Sequence, residues 1–184
     1  MKLINAIEKR QSPRAFTNQG ITEEQIELLF KAASWAPSAR NEQPWRYFYA
    51  LRKDEKIFNS FVDCLVPGNQ IWAKEAQMLI LSVGRKNYKK NESPNAYFLH
   101  DVGAANSYLA LQAAELGFQV HQMAGFDFDK TIETFKIIPK KYLPATFIAV
   151  GYKGDADLLP ENLKIAEKAE RVRKDITEFT IRIQ

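Results

Sequence analysis

The chain has 184 residues, of which 46% are hydrophobic and 26% are charged. This composition is that of a folded globular protein and excludes disordered or fibrous chains, and the length predicts one domain over residues 1–184. The net charge is +4, but basic residues alternate with acids, so the charge indicates solvated surface, and neither a nucleic-acid partner nor a membrane partner is expected.

Two helices are predicted early in the chain. Residues 2–9 form a short helix that ends before the first proline, since proline disfavours helical geometry in the residue before it. Thr22 and Gln25 have capping-box spacing, and apolar residues then recur on one face until Pro37. Residues 37–45 are therefore predicted to form a loop.

Three apolar runs predict strands, at residues 47–51, 78–83 and 146–150. The longest helix is predicted over about residues 95–117, with Gly117 as its stop. This helix is apolar outside its main stripe as well, so it must bury more than one side. It is either a central core helix or part of a subunit interface.

The end of the chain predicts one further helix and one further strand. Asp127 or Asp129 is positioned to cap a helix that runs through Phe135. Residues 176–184 alternate between polar and apolar side chains, which is typical of a half-buried strand. Such a strand needs a sheet to join.

The cysteine content and the N-terminus indicate a compartment. Cys64 is the single cysteine, which excludes an intramolecular disulfide and is typical of a reducing environment. The first eight residues lack the apolar core of a signal peptide, and no apolar run approaches the about 20 residues that span a bilayer. We expect a cytoplasmic protein.

The familiar catalytic motifs are missing from the sequence. His100 and His121 are the only histidines, and they lack metal-ligand spacing, so no metal site is expected and each histidine is predicted to be structural. The sequence has no phosphate-binding loop, no G-x-G-x-x-G fingerprint and no nucleophile elbow.

Arginines are placed unusually near both ends of the chain. Arg10, Ser12 and Arg14 occupy alternate positions, as do Arg171 and Arg173. Alternate side chains point the same way on an extended backbone, and several arginines with a hydroxyl suit a phosphate monoester. The alternative is that each set is plain solvated surface.

The loop at residues 37–45 combines rigidity with polar groups. Two prolines stiffen it, and Ser38, Asn41 and Gln43 lie near the ring of Trp45. The loop either holds a polar planar ligand or simply connects a helix to a strand, with Trp45 entering the core.

These segments together resemble the FMN-dependent nitroreductase family. Residues 9–16 read K-R-Q-S-P-R-A-F and resemble the family's R-x-S-x-R-x-F opening, and residues 37–45 resemble its P-S-x-x-N-x-Q-P-W motif. Residues 125–127 match its G-F-D segment, and residues 171–173 read R-V-R near the end. The matches fall in order over almost the whole chain.

The resemblance implies an α+β fold, with a mainly antiparallel sheet flanked by helices. It also implies an intertwined homodimer that holds FMN between its subunits. The tail over about residues 175–184 is then expected to reach across the partner subunit.

The resemblance implies FMN contacts from several parts of the chain. The implied positions are Arg10, Gln11, Ser12, Arg14, Pro37, Ser38, Ala39, Asn41, Asn69, Ala124, Gly125, Arg171 and Arg173. Gln11 and Ala39 stand where the family usually has an arginine and a serine. Trp72 stands where a second cation near the flavin is expected, and Lys74 lies two residues further on.

The roles of these positions also follow from the resemblance. The arginine sets with Ser12 would hold the phosphate and ribityl chain, while Arg14 and Asn69 would approach the pyrimidine edge. Residues 37–41 would reach the cofactor of the partner subunit. The backbone of Ala124 and Gly125 would face the flavin N5.

The implied activity is that of an NAD(P)H-dependent oxidoreductase. NAD(P)H would pass hydride to flavin N5, and a nitroaromatic or quinone would then accept it by a ping-pong mechanism. No residue is expected to act as a catalyst itself; Arg14 and Gly125 would give electrostatic and backbone support.

Other functions remain open at this stage. The chain can instead be an FMN store or sensor without efficient turnover. It can also be a family relative that removes halogens or oxidises a peptide-derived ring, or a basic nucleic-acid-binding module, which would lose affinity steeply with salt.

Overall fold

The computed structural model describes residues 2–183 of the chain. Four strands form one sheet in the order β1-β2-β4-β3, and every neighbouring pair is antiparallel. Their bounds are Trp45–Leu51 for β1, Met78–Arg85 for β2, Gln119–Met123 for β3 and Tyr142–Gly151 for β4. The three predicted strands are confirmed as β1, β2 and β4, while β3 was not predicted.

Helices precede, separate and follow these strands. They are α1 Asn5–Lys9, α2 Glu23–Ser34, α3 Glu55–Val62, α4 Pro67–Ala73, α5 Phe98–Glu115, α6 Phe128–Thr134 and α7 Glu161–Lys168. Short 3-10 turns occur at Ala39–Asn41, Ala156–Leu158 and Ile176–Glu178. Among residues 2–183, no helix has the length and apolar character that crossing a bilayer requires.

The structure confirms the helix ends that were predicted from capping residues. The Thr22 side chain accepts a hydrogen bond from the Gln25 amide, and the Gln25 side chain accepts one from the Thr22 amide. Asp127 caps α6 by accepting from the Lys130 amide, which decides between the two aspartates that the sequence offered. Gly117 follows α5 with a φ of 87°, a left-handed conformation that favours glycine.

The sheet carries a hydrophobic core on each face. On one face, α2 and α5 pack against the sheet through residues such as Leu29 and Leu109, with Ile80 of β2 below them. On the other face lie the aromatic rings of Phe61 and Phe147. Because β2 is covered on both sides, all but its last residue are buried, as its continuous apolar run predicts.

The long helix α5 is a core helix, which confirms one of its two predicted roles. Val102, Ala105 and Leu109 are almost fully buried in the core between α2 and the sheet. Other positions of the helix leave Leu99 45% and Tyr108 42% exposed. The core packing therefore leaves a second apolar face of α5 uncovered within one chain.

The strand predicted at residues 176–184 is wrong for the part that the structure describes. Ile176–Glu178 forms a 3-10 turn, and residues 179–183 belong to no strand, while residue 184 lies outside the described residues. Asp175 and Glu178 form a capping box. These local hydrogen bonds favour a turn, whereas the alternation of polar and apolar residues had predicted a strand. Phe179 stays 66% exposed.

The segment after α1 is fastened to the end of β4. The Thr17 amide donates to the Tyr152 carbonyl at 2.9 Å, and the Gly154 amide donates to the Ala15 carbonyl at 2.8 Å. A Cβ at Gly154 would lie 2.7 Å from the backbone carbonyl of Phe16. Only glycine lets these two segments approach so closely.

We predict that Gly154→Ala lowers the free energy of unfolding by about 1–3 kcal/mol, because the added methyl group meets backbone that cannot rotate away. Urea denaturation measures this change. The matched control is Gly20→Ala, since no heavy atom lies within 4 Å of a Cβ built at Gly20. Equal stability of the two variants would contradict this account of the close approach.

Candidate functional site

Arginines from opposite ends of the chain meet beside α1. Arg171 donates one hydrogen bond to the Arg10 carbonyl at 2.7 Å and another to the Glu8 carbonyl at 2.8 Å. Arg10, Arg171 and Arg173 line a surface cavity of about 370 Å³. The Arg10 guanidinium also donates to the Ser12 hydroxyl at 3.2 Å. The structure thus brings together four of the residues that the sequence singled out.

The cluster has an excess of positive charge, since its cavity is lined by three arginines and by one carboxylate residue, Glu8. Burial lowers the pKa of the Arg10 guanidinium, and the positive charges of Arg171 and Arg173 lower it further. Among residues 2–183, no carboxylate forms a salt bridge with any of these three arginines. An anion with several acceptor oxygens would relieve this repulsion, and a phosphate group has that chemistry.

A second cavity, of about 310 Å³, continues from the cluster along α5 and β3. It is lined by Arg10 and Ser12 on one side, and by Ser107, Leu111 and Gln122 on the other. The hydroxyl and amide groups here supply hydrogen bonds without charge. This cavity suits the polar chain of a ligand whose anionic end is held by the arginines.

Arg14 lies in a different environment, next to a carboxylate from α7. Its backbone amide lies 3.0 Å from each carboxylate oxygen of Glu167, and its guanidinium lies 3.8 Å from the nearer oxygen. The Glu167 side chain is only 4% exposed. Arg14 also lines a cavity of about 580 Å³, together with Trp72 and Lys74.

His121 supports the segment that carries the candidate residues. Its Nδ1 donates to the Pro13 carbonyl at 3.0 Å, and its ring centroid lies 4.5 Å from that of Trp72. Burial lowers the pKa of the imidazole, and the charge of Arg14 acts in the same direction. The ring is therefore neutral near pH 7, and its contacts are those of the structural residue that the sequence predicted.

Asn69 and Gly125 form a tight pair at the start of α4 and the end of β3. The Asn69 side-chain amide donates to the Gly125 carbonyl at 3.0 Å. A Cβ at Gly125 would lie 2.7 Å from the Asn69 amide nitrogen and 2.9 Å from the Val66 side chain. Within residues 2–183, the Gly125 amide makes no hydrogen bond, and the neighbouring Ala124 is exposed. The pair therefore presents a free backbone donor.

The loop at residues 37–45 lies at the other end of α5 from the arginine cluster. The Ala39 amide donates to the buried carboxylate of Asp101 at 3.0 Å, in the first turn of that helix. Ser107 and Leu111, which face Ser12, lie about 9–15 Å further along the helix axis, at 1.5 Å per residue. One chain therefore does not bring the loop to the cluster.

The loop has an unusual backbone and a buried anchor. Arg40, Asn41 and Gln43 all have left-handed φ values, of 56°, 54° and 50°. The Ser38 hydroxyl accepts from the Gln43 amide at 3.0 Å, which fixes the turn. Trp45 is 8% exposed, so its ring enters the core, as one of the two alternatives for this loop expected. The polar side chains of Ser38 and Asn41 remain at the surface, beside the exposed Pro37.

Some residues that shape the site were not found by sequence reasoning. Gln119 and Lys153 hold Gln11 from two sides, because the Gln11 backbone amide donates to the Gln119 side-chain oxygen and the Gln11 side-chain oxygen accepts from the Lys153 ammonium, each at 2.7 Å. Glu167 lies in a run of mixed charge that looks like ordinary surface. The alternation of charge gave no signal that one of these acids turns inward.

The chain belongs to the Nitroreductase family, whose sequence profile matches residues 7–66 and 64–152. A relative from Haliscomenobacter hydrossis named iodotyrosine deiodinase is 25% identical over 182 residues, covering 84% of this chain and 81% of that protein. A protein of Archaeoglobus fulgidus, provisionally named NADH dehydrogenase/NAD(P)H nitroreductase, is 24% identical over 155 residues, covering 83% and 86%.

Solved structures agree with this assignment. A crystal structure described as an oxidoreductase containing FMN is 34% identical and superposes with a TM-score of 0.89, covering 98% of this chain and 91% of that chain. A nitroreductase family protein from Streptococcus pneumoniae, at 18% identity, has a TM-score of 0.76 and covers 99% and 100%. The expected α+β fold with an antiparallel sheet is confirmed.

The buried imidazole makes stability depend on pH. The pKa of His121 is lower in the folded chain than in the unfolded chain, so acid protonates the unfolded state first. We predict that the free energy of unfolding is highest above about pH 6.5 and falls as the pH is lowered through that value. Urea denaturation between pH 7.5 and 5.5 measures the slope.

His121→Gln should flatten this slope, because the variant lacks the group whose protonation the folded chain disfavours. A wild-type slope in the His121 variant would show that other groups cause the pH dependence.

Proposed function

We propose that this chain binds FMN and acts as an NAD(P)H-dependent oxidoreductase on electron-poor acceptors such as nitroaromatics or quinones. The observation that carries the proposal is the convergence of Arg10, Arg171 and Arg173 on one cavity, where among the described residues no carboxylate forms a salt bridge with them. Membership of the Nitroreductase family and the likeness to an FMN-containing oxidoreductase support it.

The chain offers donor groups whose chemistry suits each part of FMN. The arginine cluster supplies charge-assisted donors for the phosphate, and Ser12 and Gln11 lie at its edge toward the polar chain. Arg14 offers a cation, and Asn69 offers an amide, for the pyrimidine edge of the ring system. Gly125 adds a backbone N–H that no other group in the described chain uses.

When bound, FMN supplies the transfer of hydride from NAD(P)H to the acceptor in two half-reactions. The residues of the chain would bind and orient the cofactor and stabilise its reduced form. Arg14 would place positive charge near the part of the flavin where negative charge develops on reduction, and hydrogen bonds of its own backbone and of the preceding Pro13 fix its position. Ala124 and Gly125 add a rigid backbone surface next to Asn69. No proton-transferring side chain is required.

We propose that the working form is a homodimer. The loop at residues 37–41 lies too far along α5 to serve the arginine cluster of its own chain, so Pro37, Ser38, Ala39 and Asn41 would complete the site of the partner. Large apolar side chains are exposed in the tail, with Ile181 87% and Ile183 86% exposed. A tail over about residues 175–184 that crosses the partner would cover them.

The described residues also bear on the number of domains and on the cellular location. We infer that residues 1–184 form one FMN-binding domain, since both ends of the chain contribute to a single cluster. We infer a cytoplasmic location, because the single cysteine, Cys64, is a buried free thiol, as suits a reducing compartment.

We predict that Arg173→Ala weakens FMN binding about tenfold, equivalent to about 1.4 kcal/mol, because one charge-assisted contact to the phosphate is lost. Titration of the apoprotein with FMN, followed by quenching of flavin fluorescence, measures the affinity. Lys31→Ala is the control, since Lys31 is an exposed cation in the last turn of α2. Unchanged affinity of the Arg173 variant would remove this residue from the site.

Turnover separates the proposed enzyme from an FMN store or sensor. We expect the purified protein to be yellow, to have twice the chain mass of 21.1 kDa, and to oxidise NAD(P)H in the presence of menadione or nitrofurazone. Double-reciprocal plots should be parallel, as in a ping-pong mechanism. A protein that retains FMN and shows negligible acceptor-dependent oxidation would instead be a store or sensor.

A further inference from the structure

The helix α7 lies beyond the part of the chain that the family profile matches, which ends at residue 152. It is held by the packing of Leu163 against one core and by salt bridges to Asp157. Lys164 and Lys168 both contact the Asp157 carboxylate, at 3.0 Å and 2.7 Å, and these two ammonium groups lower the pKa of that carboxyl. The helix is therefore tied to the 3-10 turn before it and has a defined orientation.

This orientation directs Glu167 inward, against Arg14. Both carboxylate oxygens lie 3.0 Å from the Arg14 amide nitrogen, and one lies 3.8 Å from the guanidinium. The carboxylate is 4% exposed, whereas the Arg14 side chain is 30% exposed. Glu167 is thus a buried acid beside the cation that the proposed function assigns to the flavin.

We propose that Glu167 is a positioning residue that fixes Arg14 and limits the positive charge that Arg14 presents to the flavin, an inference that rests on the proposed function. A carboxylate this close offsets part of the guanidinium charge, since charges in a partly buried site are weakly screened. The pair therefore favours the anionic reduced flavin less than a lone arginine would.

The consequence is a lower flavin midpoint potential than the same site would give without the carboxylate. The potential reports the ratio of the affinities for reduced and oxidised flavin, so it separates an electrostatic role from a merely structural one. Loss of a structural contact alone would weaken both affinities together and leave their ratio unchanged.

The test compares Glu167→Gln and Glu167→Ala with the wild type as FMN-loaded protein, by potentiometric titration. We expect the affinity ratio to rise about tenfold in favour of reduced FMN, which is a shift of about +30 mV for a two-electron couple. The control, Glu161→Gln, removes an exposed carboxylate from the first turn of the same helix and should leave the potential unchanged. Glu167 belongs to neither hydrophobic core, so its substitutions leave both cores intact.

Amide hydrogen exchange on the apoprotein provides a second readout that needs no flavin. In Glu167→Ala, the Arg14 amide loses its acceptor and should exchange at least about tenfold faster, while exchange in the sheet stays unchanged. Unaltered exchange at Arg14 would overturn the positioning role.

The outcomes separate this inference from the function on which it rests. A wild type that binds FMN, with variants whose potential equals that of the control, overturns the role of Glu167 and leaves the proposed function intact. A wild type that does not retain FMN overturns the proposed function, and the inference with it. A positive shift confined to the Glu167 variants supports both.

Discussion

The site depends on the pair of hydrogen bonds by which Arg171 holds the end of α1. The last carbonyl groups of a helix receive no hydrogen bond from within the helix, and they carry partial negative charge. A guanidinium is therefore a favourable donor for them. By binding the Glu8 and Arg10 carbonyls, Arg171 brings the C-terminal segment across a separation of 161 positions in the chain. Arg173 and Arg10 then line one cavity.

The same interaction explains why the cluster is suited to an anion. The Arg171 guanidinium donates hydrogen bonds to backbone carbonyl oxygens, which carry no net charge and so do not neutralise it. The Arg10 guanidinium donates to the Ser12 hydroxyl, which is also neutral. The three guanidinium groups therefore repel one another in the free chain. Arg14 contrasts with them, because the buried carboxylate of Glu167 faces it. The chain thus has a strongly positive region at the arginine cluster and a less positive region at Arg14, where Glu167 offsets part of the charge.

The sequence predicted the fold wherever a local rule was sufficient. The apolar runs of β2 and β4 identified strands covered on both faces, and the Thr22 capping box fixed the start of α2. The tail was predicted wrongly, because a period of two shows which side chains share a face but not whether a neighbouring strand exists. In this chain, the hydrogen bonds of Asp175 with its own neighbours determine the local structure.

The candidate site was predictable only in part, for a related reason. Alternate spacing at Arg10 and Arg171 indicated side chains pointing one way, but it carried no information on the distance between two segments at opposite ends of the chain. The resemblance to a family supplied that link. Glu167 escaped both kinds of reasoning, since its inward direction depends on how Asp157 anchors α7.

The left-handed backbone at Arg40, Asn41 and Gln43 has a consequence for the proposed homodimer. Such conformations cost about 1 kcal/mol each in residues other than glycine, and they persist only where surrounding contacts impose them. Here the buried Asp101 carboxylate and the Ser38 hydroxyl impose them within a single chain. The loop is therefore preorganised before any second molecule arrives, so little conformational entropy remains to be lost when two surfaces associate.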